Sequence, residues 1–201
     1  MLAILDYGAG NLHSVEKAFR YLGQNPIVTH DQKQVDKASH VVLPGVGAFG
    51  DARLRLKESG LEEAFQRAVE AGKPVLGICL GMQLLFETSV EYGEHEGLGI
   101  LPGTILPYPK GALKVPHMGW NPLSLVQSNC PLFSGLEDAC PVYFVHSFYA
   151  PYTGQPFVSA TMDYGEVGVA AIWQKNLFAT QFHPEKSGEV GLQMLKNFAA
   201  L

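Results

Sequence analysis

The 201-residue sequence is poor in cysteine and in charge, and it has no long apolar run. Its three cysteines are Cys79, Cys130 and Cys140. So sparse and odd a set argues against a disulfide framework and points to a reducing compartment, so a cytoplasmic protein is expected. Cys130 and Cys140 each precede a proline and have no histidine at ligand spacing, so no metal site is expected. Charged residues make up only 16% of the chain, the net charge is −5, and lysines and arginines form no run. Nucleic acid is therefore not an expected partner. No stretch approaches the roughly 18 apolar residues a membrane helix needs. Met1-Leu2-Ala3-Ile4-Leu5-Asp6 lacks the basic segment of a secretory signal. Repeats, low-complexity tracts and linkers are missing too, so a single domain over residues 1–201 is expected.

What is present begins with Gly77-Ile78-Cys79-Leu80-Gly81. Lys73–Ile78 is short, apolar and β-branched, which predicts a buried strand, and Gly81–Glu87 reads as the helix that follows. Two glycines around a cysteine permit a strand-to-helix turn too tight for side chains carrying a Cβ. The Gly-x-Ser-x-Gly elbow of hydrolases follows the same logic, with sulfur here in place of oxygen. At such a corner the thiol faces backbone N–H groups that favour the thiolate. A buried structural cysteine is the competing reading.

A second constellation, Gln181-Phe182-His183-Pro184-Glu185-Lys186, shifts the balance. Pro184 disfavours helix and pushes His183 toward an extended conformation. Residues i and i+2 of an extended segment point the same way, roughly 6–7 Å apart. Glu185 is thus placed to orient the His183 imidazole, the base-plus-orienter half of a nucleophile triad.

The first half alternates strands and helices. Strands are expected at Leu2–Leu5, Pro26–Thr29 and His40–Leu43, the last ending in the glycine-rich corner Pro44–Gly50. Asn11 can cap a helix whose apolar positions are Val15, Ala18, Phe19 and Leu22, closed by Gly23. Helices are also expected at Asp51–Ser59 and Leu61–Ala71. This order predicts a three-layer, doubly wound α/β fold with a mostly parallel central sheet, its chemistry at the carboxyl ends of the strands. Beyond Gly97 prolines crowd between Pro102 and Pro122. Short β-rich runs follow at Leu123–Val126, Val142–His146, Phe157–Thr161, Val169–Trp173 and Leu177–Phe182. They suggest additional antiparallel strands on the same core, before a last helix from about Ser187 with Gly191, Met194, Leu195 and Phe198 on one face.

Taken together, Asp6–Leu12, Leu43–Phe49, Gly77–Leu85, Pro116-His117-Met118-Gly119-Trp120-Asn121, Val145-His146-Ser147 and Gln181–Ser187 resemble the class I (triad) glutamine amidotransferases over the whole chain. The Asp6–Leu12 and Pro116–Asn121 segments are similar to the glutaminase subunits of imidazole glycerol phosphate synthases. The resemblance implies hydrolysis of L-glutamine to glutamate and ammonia through a Cys79 thioester, with His183 as base and Glu185 as its orienter. It implies oxyanion donors at the backbone of Leu80, Val46 and Gly47. Substrate contacts are implied from Gly47, Gln83, His146, Ser147 and Phe148. No cofactor is implied. The implied partner is a (βα)8-barrel cyclase subunit of the HisF type, in a heterodimer that makes imidazole glycerol phosphate and an aminoimidazole carboxamide ribotide in histidine biosynthesis. Asn11, Pro116, Met118, Trp120, Tyr143 and Lys186 are the implied partner contacts. Glycines on either side of Val46 make that backbone easy to reorient, so its donor is expected to be set by the partner. Met118 and Trp120 alternate and can project from one side of an extended segment; the alternative for Trp120 is its own core. An amidotransferase serving another synthase, a non-catalytic module and a cysteine peptidase on a related sheet remain as other readings.

Overall fold

The first strand, β1 (Leu2–Leu5), is apolar and buried at every position, as a strand covered on both faces must be. Leu2 and Ile4 join one hydrophobic cluster, Ala3 and Leu5 the other. The computed structural model describes residues 1–109, 111 and 113–201; Lys110 and Ala112, within the proline-dense stretch, lie outside the described residues.

After β1 come α1 (Leu12–Tyr21), β2 (Pro26–Thr29), α2 (Gln32–Lys37), β3 (His40–Gly45), α3 (Phe49–Glu58), α4 (Leu61–Glu70) and β4 (Val75–Cys79). A single helical turn, α5 (Leu80–Gln83), is followed by β5 (Phe86–Ser89), β6 (His95–Glu96), β7 (Leu101–Pro107), β8 (His117–Pro122) and β9 (Ser124–Leu125). The last elements are β10 (Pro141–His146), β11 (Phe148–Tyr149), β12 (Val158–Asp163), β13 (Val167–Gln174), β14 (Leu177–Thr180) and α6 (Gly188–Ala199).

An eight-stranded sheet runs in the order β2-β1-β3-β4-β14-β13-β12-β9. The first five strands are mutually parallel and the last three pair antiparallel. Residues of α2, α3 and α4 pack on one face, those of α1 and α6 on the other. The expected three-layer, doubly wound α/β architecture is the one observed. Two smaller sheets flank it, β8 with β10 and β11-β7-β5-β6.

Several local expectations need correction. Gly81–Glu87 is not a helix beyond one turn. The Leu84 and Leu85 carbonyls accept from the amides of Leu98, Ile100 and Leu101 rather than from the next helical turn, and the chain continues as β5. Every residue of Leu80–Phe86 is buried, so no polar face existed to fix a helical period. Asn11 stands at the N-cap position of α1, but its side chain makes no capping bond. Val142–His146 belongs to the separate β8–β10 pair, not the main sheet. The Leu177–Phe182 run shortens to β14, which lies parallel to β4 and antiparallel to β13. The proline-dense stretch contains β7 and β8, with Pro107 and Pro122 at their ends. Helix α2 was not anticipated: its six residues are too few to show a period, although Asp31 caps it through the Lys33 amide.

Candidate active site

β4 and β14 lie side by side in parallel, with Ile78 opposite Thr180. Whatever follows each strand therefore emerges at the same rim of the sheet. Cys79 ends β4; His183 lies three residues past β14, after a bend in which Thr180 Oγ1 donates to the Phe182 carbonyl. β3, on the other side of β4, places Gly45 opposite Cys79. One cavity of about 390 Å³ is lined by Val46, Gly47, Cys79, Leu80, Gln83 and His183, and its far wall by His146, Ser147 and Phe148. Segments more than a hundred residues apart thus meet, and of the residues expected to be catalytic, to stabilise the oxyanion or to bind substrate, all but Glu185 line this one space.

The corner at Cys79 is strained. Its φ of 56° and ψ of −109° lie where side chains rarely go. The neighbouring glycines are sterically required: a Cβ on Gly81 would run into the Leu43 carbonyl oxygen, and one on Gly77 would stand 2.9 Å from the Gly81 carbonyl oxygen. The sulfur lies 4.0 Å from the Val145 carbonyl and 3.7 Å from Gln181 Nε2.

His183 is buried, and its backbone is clamped: its amide donates to the Tyr143 carbonyl at 3.0 Å and its carbonyl accepts from Ser187 Oγ at 2.7 Å. Its Nδ1 lies 2.8 Å from Glu185 Oε1. The route differs from the expected extended alternation. His183 is extended, but Pro184–Lys186 forms a 3-10 turn that swings Glu185 back under the ring. Proline suits the first position of such a turn because its missing N–H is not needed there. Burial alone would lower the His183 pKa; hydrogen bonding to Cys79 and Glu185, with their charges, outweighs it and raises the value to about 9. The shift favours the protonated ring, which has Glu185 at Nδ1 and lines the same cavity as Cys79.

All three thiols are free and buried, but among the described cavity residues only Cys79 is a cysteine. Burial pushes the Cys130 thiol up to about 11 and raises that of Cys140, which disfavours their thiolates.

Gln83 is committed more deeply than its expected role implies. Its Nε2 donates to the Phe148 carbonyl and to Gln181 Oε1, each at 2.9 Å, so its Oε1 is what it offers a ligand. Of the expected partner contacts, Pro116 and Lys186 line the cavity. Met118 and Trp120 project from β8 with 62% and 58% of their surface exposed, and Trp120 meets Tyr143 edge-on at 6.1 Å between centroids. Trp120 is not in the core. Asn11 is partly exposed at the start of α1 and is not among the described residues lining the cavity.

Two polar residues of the site were missed. Gln181 is wholly buried between Gln83 and Cys79; the alternation applied to His183 and Glu185, taken one step earlier, points to it. Glu91 lines the cavity, and its Oε2 accepts from the Phe49 amide at 2.7 Å. Glu94 and Glu96 follow it closely in the chain, and nothing in the sequence separates it from them.

Residues 3–201 match the family model described as glutamine amidotransferase class-I. The chain belongs to the class-I glutamine amidotransferase family. It is 52% identical, over 98% of its length and 97% of the relative's, to imidazole glycerol phosphate synthase subunit HisH of Geobacter metallireducens. Identity to the same-named subunit of Caldanaerobacter subterraneus is 48%, over all of this chain and 98% of that one. Solved structures of similar fold include PurLQS from Thermotoga maritima, with a TM-score of 0.78 at 20% identity over 99% of this chain and 97% of that one. Another, a glutamine amidotransferase, superposes with a TM-score of 0.76 at 20% identity over all of this chain and 99% of that one. For this amidotransferase those distant structures speak to the fold alone. No helix among its described residues is long and apolar enough to cross a membrane.

Proposed function

We propose that this amidotransferase is the glutaminase subunit of an imidazole glycerol phosphate synthase. It hydrolyses glutamine and passes the ammonia to a (βα)8-barrel cyclase of the HisF type. The observation that carries the reading is the meeting of Cys79, His183 and Glu185 at one rim of the sheet, in a chain about half identical to named HisH subunits along its length.

Cys79 attacks the side-chain carboxamide carbon of glutamine, forming a C–S bond as the carbonyl becomes an oxyanion. The Leu80 N–H and the amides of Val46 and Gly47 are its donors. Loss of one such donor typically costs about 10²–10³ in rate. The Gly47 φ of +98°, and the open space where its Cβ would stand, favour a peptide that can reorient. The partner sets that donor. His183 gives its proton to the departing ammonia, then takes one from the water that cleaves the thioester to glutamate and free thiol. Glu185 holds the ring by Nδ1 throughout. Glu91, itself held by the Phe49 amide, offers a carboxylate to the α-ammonium group of glutamine, while the Ser147–Phe148 backbone and Gln83 Oε1 take its other polar groups. The exposed Met118 and Trp120, with Tyr143, Lys186, Pro116 and Asn11, form the docking face; apolar side chains so exposed suit a protein interface.

The test is glutamate release by the purified chain, alone and with its cyclase and that subunit's nucleotide ligand. Release should depend on the cyclase and rise further with the nucleotide. Glutamine left unconsumed by the complex would refute the reading.

A further inference from the structure

Beside the triad lie two more buried histidines, His146 and His117, opposite each other on β10 and β8. Their hydrogen bonds run in one direction only. His146 Nδ1 is 2.8 Å from the Phe148 carbonyl oxygen, which can only accept, so Nδ1 carries the proton. Burial drives the His146 pKa down to about 3, so the ring is neutral and its Nε2 is a bare acceptor. His117 Nδ1 stands 3.2 Å from that nitrogen and must donate to it. His117 is also neutral, lowered by burial to about 4, so its Nε2 accepts in turn from Asn121 Nδ2 at 3.3 Å. Asn121 Nδ2 donates as well to the Asp163 carbonyl at 2.8 Å. Stacking fixes the ring planes: His117 lies between Tyr164, at 3.9 Å and 16°, and Phe144, at 4.8 Å and 18°.

The end of this chain matters. The Phe148 carbonyl that His146 holds is the one that Gln83 also holds, and His146, Ser147, Phe148 and Gln83 all line the cavity at Cys79. His117 is not among the described cavity residues. We propose that His117 is a positioning residue for glutamine: its Nδ1–H fixes the His146 ring, and through it the 146–148 bend that receives the substrate. This rests on the glutaminase reading and extends it to a residue two strands removed from the chemistry.

The decisive variant is His117→Phe in the full chain, assayed with the cyclase. Phenylalanine keeps an aromatic ring to stack on Tyr164 and Phe144 and removes both nitrogens. The glutamine KM should rise about three- to tenfold, the range one lost hydrogen bond supports, with kcat within about twofold. In His117→Asn the amide can occupy the Nδ1 position. It should draw KM back toward wild type even as the lost ring volume lowers the melting temperature, a split that a merely structural role would not give. Should His117→Phe fold poorly, 15N spectra of the histidine rings in the wild-type complex give the tautomers directly. Both rings should be neutral and Nδ1-protonated at pH 7. An unchanged KM in a folded His117→Phe, or a ring protonated at Nε2 in either residue, overturns the proposal. No glutamate release by the wild-type complex would remove the glutaminase reading itself, and this proposal with it.

Discussion

The Glu185 side chain is buried, and only one of its two carboxylate oxygens has a hydrogen-bond partner among the described residues. Oε1 bonds His183; Oε2 has no hydrogen-bond partner among the described residues. That one bond and the charge beside it help raise the pKa of the His183 ring. Removing the ring is the harsher change. We expect His183→Ala to lower glutamine turnover by about 10²–10⁴-fold, the usual worth of a general acid–base. Glu185→Gln should cost less, because Gln Oε1 can still accept from Nδ1 while the charge is lost. Steady-state rates of the two variants check the order; wild-type turnover in Glu185→Gln would remove that residue from the mechanism. The i, i+2 spacing of this pair was legible in the sequence, but the turn that joins them was not. Proline was read as a helix breaker, whereas here it begins a 3-10 turn.

Among the elements, the turn carrying Glu185 is braced by α6. A Cβ on Gly191 would strike the Pro184 carbonyl oxygen, so glycine is what lets the helix approach that closely. Gly191→Ala touches nothing in the cavity, yet it should push the turn away and slow turnover at least tenfold. It should also destabilise the fold by about 1–3 kcal/mol, the usual cost of overpacking. Paired kcat and urea-midpoint measurements test this; a variant with full activity would show that the turn does not depend on α6. At this scale the sequence was most legible where one face of an element is buried, as in α1, α4 and α6. It failed at α5–β5, where burial on all sides erases the period and competing amides from residues 98–101 end the helix.

Three buried rings make the stability of the whole molecule depend on pH in two directions. His117 and His146 have folded values near 4 and 3, below the ordinary 6.5. Their contribution is present above about pH 6.5 and is lost as pH falls toward those values. His183 is raised to about 9, so its contribution is present below about 6.5 and is lost as pH rises toward 9. Urea midpoints should therefore peak near neutrality and fall on both sides, and His117→Phe should flatten the acid limb. An acid limb identical in wild type and variant would mean that His117 is not held neutral. The α/β class and the rim location of the chemistry could be read from alternating elements. That β14 lies beside β4 could not. Nearly a hundred residues separate the two strands, and their pairing is a property of the finished sheet. On that adjacency the meeting of Cys79 and His183 depends.

Labelling the nucleophile tests this most directly. A chloroketone analogue of glutamine, which loses chloride to an attacking thiolate, would be added to the complex and the modified peptide identified by mass spectrometry. Cys79 should be labelled once per chain, with excess glutamine protecting it and Cys130 and Cys140 untouched. Glutamine-dependent synthesis should be lost while ammonia-dependent synthesis persists. Label on either buried thiol instead, or labelling of Cys79 that glutamine does not slow, would contradict the assignment of Cys79 as the residue that attacks glutamine.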